Sequence, residues 1–146
     1  MKKINRNLVE AGNARNEDYK QLLKKIIKDG LCPFCWENFE KYHPKPIFEK
    51  RKYWLVSENI YPYENSKNHF ILVAKRHLIF PSELSKEEWQ ELLELIEFLK
   101  EKTNSNSGTL LMRFGETINT GASVEHLHAQ FIVAKDKRYP IITRIG

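Results

Sequence analysis

A row of two histidines and one glutamine is the feature of this sequence that could do chemistry. His126, His128 and Gln130 are spaced two residues apart. In a β-strand, residues at that spacing share one face of the sheet. The row would then direct nitrogen and oxygen donors and acceptors at a single substrate or metal ion. A solvated polar face is the alternative interpretation of the same pattern.

A glycine-bearing loop lies immediately before this row and holds Gly121 and Ser123. Backbone N–H groups of such a loop can bind phosphate oxygens, and the Ser123 hydroxyl adds a further donor. A neutral imidazole can attack phosphorus if a hydrogen bond keeps the proton on its other ring nitrogen. A phosphate-binding loop beside histidines therefore predicts phosphoryl or nucleotidyl transfer.

The spacing of these residues resembles the signature of the histidine-triad (HIT) superfamily. It is similar to the branch with His-x-His-x-Gln, which contains galactose-1-phosphate uridylyltransferase and some dinucleoside-polyphosphate phosphorylases. Three upstream segments add to the resemblance: the Cys32-Pro-Phe-Cys35 turn, the Asn59-Ile-Tyr-Pro-Tyr63 turn and Lys75-Arg76-His77. The similarity covers about residues 31–135.

The resemblance implies a role for each member of the row. His128 would be the nucleophile that forms a covalent nucleotidyl-histidine. His126 would flank it, with its backbone carbonyl holding the His128 ring. Gln130 would hydrogen-bond the phosphate or the leaving group.

The resemblance also implies the substrate-binding residues. Ser123 and the Gly121 loop would hold phosphate oxygens, and Asn59 would lie near the ribose hydroxyls. The implied substrate is a nucleotide.

Gln130 bears on the type of reaction, because an amide cannot change its protonation state. A histidine there could protonate a poor leaving group such as an amine. A glutamine suits a leaving group or an acceptor that is stable as an anion. The residue favours a nucleotidyltransferase or phosphorylase. A nucleoside-phosphate hydrolase is the first alternative, and a zinc-stabilised nucleotide- or nucleic-acid-binding module without catalysis is the second.

The Cys-x-x-Cys pair is open to three interpretations: a redox pair, two packed cysteines, or half of a tetrahedral zinc site. The resemblance implies the zinc site, structural and closed, with Cys32 and Cys35 completed by His77 and His126. His43, close to the pair in sequence, is the alternative ligand.

Two departures from the family pattern stand out. Gly115 occupies the position where the family usually has asparagine, and Arg113 or Asn119 are the candidates to compensate. The chain also has one HIT-like unit, whereas the uridylyltransferases have two. We therefore expect a homodimer.

The elements that must position these residues follow from hydrophobic patterning. A capped amphipathic helix is predicted over residues 16–29, and a long helix runs from the Ser85 capping box to about residue 103. Strands are predicted over 52–57, 69–74, 109–114 and 124–134, with a short edge strand over 141–145. The expected class is α+β: a HIT-like antiparallel sheet of about five strands, a long helix between strands, and an extra N-terminal helix. Residues 1–30 would form a basic helical extension and residues 31–146 the HIT-like domain.

Composition limits the remaining classes of function. The chain has 146 residues and a net charge of +5, concentrated at its two ends. Residues 1–30 carry eight Lys or Arg against four Asp or Glu, and residues 135–146 carry four against one. This placement favours a polyanionic partner, a nucleotide or a nucleic acid, although no aromatic-interleaved basic patch supports nucleic acid specifically. Two cysteines, no signal-like start and no apolar run near 20 residues predict a cytoplasmic protein without a membrane partner.

Overall fold

The computed structural model describes residues 9–146. Its elements, in chain order, are α1 (Glu17–Asp29), α2 (Trp36–Tyr42), β1 (Ile47–Lys50), β2 (Trp54–Glu58), β3 (Ser66–Ala74), α3 (Lys86–Thr103), β4 (Thr109–Met112), α4 (Thr117–Thr120) and β5 (His128–Ala134), with 3-10 turns at Ala11–Asn13 and Pro81–Glu83. The predicted α+β class with one long helix between strands is confirmed.

The five strands form one antiparallel sheet in the order β1-β2-β3-β5-β4. Its central pair, β3 and β5, aligns Ile71 with Gln130 and Val73 with His128. Because side chains alternate along a strand, this register puts the polar residues of β5 on the face opposite to Ala129 and Phe131.

The main hydrophobic core lies between α3 and one face of the sheet. Leu92, Leu95 and Leu99 of α3 pack there with Leu72 of β3 and Ala129 of β5. The helix begins at the predicted capping box, in which Ser85 accepts a hydrogen bond from the Glu88 N–H and Glu88 accepts one from the Ser85 N–H. The other face of the sheet carries a smaller buried cluster, with Phe39 of α2 packed on Leu55 and Val73, and the candidate site lies beside it.

The N-terminal helix packs against the rest of the fold. Asn16 caps α1, as predicted, and Gly30 ends it with a φ of 68°. Leu23 and Ile26 pack in one buried cluster with Cys32 and Val124. This cluster joins residues on both sides of the predicted boundary between residues 30 and 31.

Two strand predictions are wrong. The predicted strand over 124–134 begins only at His128, because residues 124–127 pair elsewhere: Val124 bridges Val9, and the Leu127 N–H donates to the carbonyl of Leu78. Residues 141–145 form no strand, and the backbone carbonyl of Arg144 is taken by the Arg113 side chain.

Smaller differences affect the other elements. Helices α2 and α4 and strand β1 were not predicted. Strand β3 starts three residues earlier than expected, and β4 stops two residues earlier. No helix within residues 9–146 is long and apolar enough to cross a bilayer.

Candidate active site and metal cluster

His128, the first residue of β5, is held in one tautomer. Its Nδ1 lies 2.7 Å from the backbone oxygen of His126. A carbonyl only accepts hydrogen bonds, so Nδ1 carries the proton and Nε2 keeps a free lone pair. Burial lowers the pKa of His128 to about 4, so the ring is neutral at pH 7. The ring of Phe34 packs edge-on against the imidazole at a centroid distance of 4.9 Å.

A cavity of about 380 Å³ opens beside His128, on the face of the sheet away from α3. That size suits a small organic ligand. The cavity brings together five of the residues singled out in the sequence: His128, Gln130, Ser123, Gly121 and Asn59. His126 lies outside it and contacts the site through its carbonyl.

The loop before β5 is fixed by the N-terminal segment. The Asn13 amide donates to the carbonyl of Ala122 at 2.7 Å and to that of Thr117 at 3.0 Å, and the Glu10 N–H donates to the carbonyl of Ser123 at 2.9 Å. These bonds occupy carbonyl oxygens and leave the Ser123 hydroxyl beside the cavity. Gly121 has a φ of 71°, a conformation that glycine adopts without strain.

Gln130 is positioned by His69, a partner that the sequence analysis missed. His69 Nδ1 accepts from the Tyr63 N–H at 3.0 Å, so the proton is on Nε2, which lies 2.7 Å from Gln130 Oε1. Both side chains are buried, at 5% and 7% exposure. This bond orients the Gln130 amide so that its NH₂ group remains available to the cavity. The signal in the sequence was a lone histidine at the start of an apolar strand.

Asn59 lies next to the same pair. Its Nδ2 is 3.3 Å from His69 Nε2, and its Oδ1 accepts from the Tyr61 N–H at 2.8 Å. The turn of residues 59–63 thus brings an amide to the cavity edge.

Cys32, Cys35, His77 and His126 converge on one point. Their ligand atoms all lie within 4.8 Å of one another. The Nδ1 atoms of His126 and His77 are 3.2 Å apart, and each is 3.4 Å from one cysteine sulfur. A zinc tetrahedron with two sulfur and two nitrogen ligands has edges of about 3.3–3.8 Å, from its bond lengths of about 2.3 and 2.0–2.1 Å.

The hydrogen bonding of His126 also suits a metal. Its Nε2 lies 2.6 Å from the carbonyl of Ala74 and therefore carries the proton. The lone pair on Nδ1 then faces the two cysteines, as a zinc ligand requires. His43, the alternative ligand, lies elsewhere, with Nε2 2.8 Å from the Ser57 hydroxyl.

The cluster ties four segments to one another. Cys32 precedes α2 and Cys35 caps it, while His77 follows β3 and His126 precedes β5. An ion held there would fix the His126 backbone, whose carbonyl sets the tautomer of His128.

Gly115, at the position where the resemblance implies asparagine, has a φ of 85°. The two candidates for compensation differ in their positions. Arg113 lines the cavity, whereas the Asn119 side chain lies against Glu116, with its amide nitrogen 3.3 Å from the carboxylate.

Comparison with solved structures identifies the fold. The chain is similar to a HIT family hydrolase from Clostridium thermocellum, with 20% identity, a TM-score of 0.58, and coverage of 77% of this chain and 96% of that one. It is also similar to a histidine triad nucleotide-binding protein from Candida albicans, with 16% identity, a TM-score of 0.59, and coverage of 78% and 86%. A zinc-bound histidine triad family protein from Mycobacterium smegmatis matches with 15% identity, a TM-score of 0.58, and coverage of 79% and 82%.

Sequence comparison adds no match. No protein-family model matches the chain, and no curated protein sequence matches it. The predicted histidine-triad fold is confirmed by the structures, while the His-x-His-x-Gln branch stays a prediction that rests on Gln130.

Proposed function

We propose that this protein is a histidine-triad enzyme that cleaves a nucleoside phosphate or polyphosphate through a covalent nucleotidyl-histidine on His128. It then transfers the nucleotidyl group to phosphate or another anionic acceptor. The observation that carries this proposal is the free lone pair of His128 Nε2, held by the His126 carbonyl in a cavity bordered by the Gly121 loop. The similarity in fold to a HIT family hydrolase and to a histidine triad nucleotide-binding protein agrees with this class.

The reaction has two steps with no redox change. In the first, His128 Nε2 forms a bond to phosphorus, and the bond from phosphorus to the leaving oxygen breaks. The ring gains positive charge in this step, and its Nδ1–H bond to the His126 carbonyl stabilises that charge. In the second, an oxygen of the acceptor attacks phosphorus and the N–P bond breaks, which restores the neutral ring.

Gln130 would act on the leaving group. Its amide NH₂, oriented by His69, donates a hydrogen bond but no proton. A leaving group such as a nucleotide or a sugar phosphate departs as a stable anion and needs only that bond. The amide therefore favours such substrates over phosphoramidates with basic amines.

Zinc would be the structural cofactor, held by Cys32, Cys35, His77 and His126. It would supply folding energy and rigidity, with all four positions filled by protein ligands. The zinc-bound relative from Mycobacterium smegmatis supports this assignment.

The rest of the cavity suits a nucleoside. Apolar side chains line part of it, among them Leu22, Ile26, Pro33 and Ile60. Such a lining favours an aromatic base, and Asn59 at the cavity edge would then reach the ribose hydroxyls.

A homodimer is part of the proposal. Strand β4 is an edge of the sheet, and the large apolar side chains of Leu110, Phe114 and Ile118 are exposed on or after it. Sedimentation at micromolar concentration should give twice the chain mass of 17.3 kDa. A monomer at that concentration would contradict the dimer.

Product analysis tests the transferase against the alternatives. The purified protein is incubated with diadenosine tetraphosphate, with and without inorganic phosphate. A phosphorylase gives ADP and ATP when phosphate is present, whereas a hydrolase gives AMP and ATP in either condition. Binding of the nucleotide without any turnover would favour the second alternative, a nucleotide- or nucleic-acid-binding module without catalysis. His128→Gln is the control, since it keeps a polar side chain without the nucleophile.

A further inference from the structure

Three arginines from separate parts of the chain border the cavity that holds His128. Arg15 lies in the N-terminal segment, Arg113 follows β4, and Arg144 lies near the C-terminus. None of the described residues that line this cavity is an aspartate or a glutamate. The cavity is therefore strongly cationic, beyond what one phosphate at the Gly121 loop requires.

Tyr63 holds two of these arginines close together. The Arg15 guanidinium lies 4.3 Å from the centroid of the Tyr63 ring, and Arg113 Nη1 lies 3.4 Å from its hydroxyl. Burial lowers the pKa of Arg15, and the charge of Arg113 acts in the same direction. Arginine does not lose its proton at physiological pH, so both positive charges remain and would attract an anion that enters the cavity.

The hydrogen bonds of the three arginines leave donors unused. Arg15 donates from Nη2 to the carbonyl of Tyr61, and Arg113 donates from Nη2 to the carbonyl of Arg144. Arg144 donates from Nε to the carbonyl of Gly146. The Nε of Arg113 is buried and has no hydrogen-bond partner among the described residues. A buried cationic donor without an acceptor is costly unless a ligand supplies one.

Arginines outside the cavity differ in this respect. Arg51, Arg76 and Arg138 each form an ion pair with a carboxylate. Within residues 9–146, no such pair involves a cavity arginine. The charges of these three guanidinium groups are therefore not balanced by a carboxylate among the described residues, and they can bind an anion that enters the cavity.

The third arginine borders the phosphate loop. The Cγ and Cδ atoms of Arg144 lie 3.6 Å from the point where a Cβ on Gly121 would stand. The cationic side of the cavity is thereby continuous with the Gly121 loop.

We propose that Arg15, Arg113 and Arg144 form a polyphosphate subsite that holds the phosphates beyond the one attacked by His128. Guanidinium groups bind phosphate oxygens through paired hydrogen bonds, and three of them match a chain of several phosphates better than a sugar monophosphate. This inference rests on the proposed function and narrows its substrate to nucleoside or dinucleoside polyphosphates.

Binding of inorganic tripolyphosphate tests the subsite without any turnover. Calorimetry compares tripolyphosphate with orthophosphate on the zinc-loaded wild type and on Arg15→Gln, Arg144→Gln and Arg138→Gln. We expect wild type to bind tripolyphosphate at least about tenfold more tightly than orthophosphate. Each cavity variant should lose about tenfold or more, and Arg138→Gln should bind like wild type. Arg15→Lys keeps the positive charge but lacks the planar guanidinium group. Its affinity for tripolyphosphate should therefore lie between those of wild type and Arg15→Gln.

The outcomes separate this inference from the proposed function. Equal loss of binding in Arg138→Gln, or no preference for tripolyphosphate in wild type, would overturn the subsite even if nucleotides are turned over. Arginine-dependent tripolyphosphate binding would support the subsite even if His128 proved to have no catalytic role. If Arg15→Gln is poorly folded by thermal melting, the exposed Arg144 gives the decisive comparison.

Discussion

Removal of the His69 imidazole should both destabilise the fold and free the Gln130 side chain. The change His69→Leu leaves two buried groups without partners: Gln130 Oε1 loses its donor, and the Tyr63 N–H loses its acceptor. Each such loss costs about 1–3 kcal/mol, so the free energy of unfolding should fall by roughly 2–6 kcal/mol.

A double-mutant cycle with Gln130→Leu isolates the bond between the two side chains. Gln130→Leu alone leaves the His69 Nε2–H without an acceptor, whereas the double variant removes both partners together. The double variant should therefore be less destabilised than the sum of the single variants, by at least about 1 kcal/mol. The Tyr63 N–H is unpartnered in both His69 variants, so its cost cancels.

Urea unfolding of the zinc-loaded protein supplies the four free energies. His43→Leu is the matched control, because His43 is also buried but bonds to Ser57 and the Glu58 carbonyl instead of Gln130. Its cycle with Gln130→Leu should be additive within about 0.5 kcal/mol. Additivity of the His69 cycle within the same margin would refute the hydrogen bond between His69 and Gln130.

Three further predictions follow from the site. Cys32→Ser should lower the bound zinc below one ion per chain and should reduce thermal stability. Metal analysis that finds one zinc per chain in this variant would contradict the proposed zinc site. Burial lowers the pKa of His43, His69 and His128 to about 4, below their unfolded value near 6.5, so their contribution to stability is present above pH 6.5 and is lost as the pH falls toward 4. Protonation of each of these histidines should lower the free energy of unfolding by about 2 kcal/mol between pH 7 and pH 5. An unchanged urea midpoint over that range would contradict this prediction. Gln130→His should raise the rate on a phosphoramidate relative to the rate on a polyphosphate by about 10²-fold or more. An unchanged ratio of the two rates would show that residue 130 does not determine which leaving group is accepted.

Local signals explain why much of the fold could be predicted. The Ser85 capping box and the leucine spacing of α3 depend only on neighbouring residues, and the helix begins and ends where they indicate. The same holds for α1, with its Asn16 cap and Gly30 stop. A nearly continuous apolar run located β3, and the alternating polar row located β5, although in both strands the first residue was misplaced.

The wrong predictions concern segments whose partners are distant in sequence. Residues 141–145 are apolar enough for a strand, yet their backbone is used by a side chain, that of Arg113. The start of β5 was misplaced because the backbone of Leu127 pairs with Leu78, a choice that no local pattern indicates.

The site residues could be predicted only where they belong to a short sequence motif. The His-x-His-x-Gln row and the Cys-x-x-Cys pair are readable within a few residues, and the resemblance linked them to His77. The pairing of His69 with Gln130 spans 61 residues. The entry of Arg15 into the cavity depends on how the N-terminal segment packs, so neither contact has a signature in the sequence.

The covalent intermediate on His128 is the central claim, and intact-mass measurement tests it most directly. The zinc-loaded protein is mixed with excess diadenosine tetraphosphate, quenched in alkali after milliseconds to seconds, and its mass is compared with that of His128→Gln. We expect a transient gain of one adenylyl group in wild type, mapped by peptide sequencing to His128 and absent from the variant. Turnover by wild type with no adduct at any time, or an adduct that persists in His128→Gln, would contradict it.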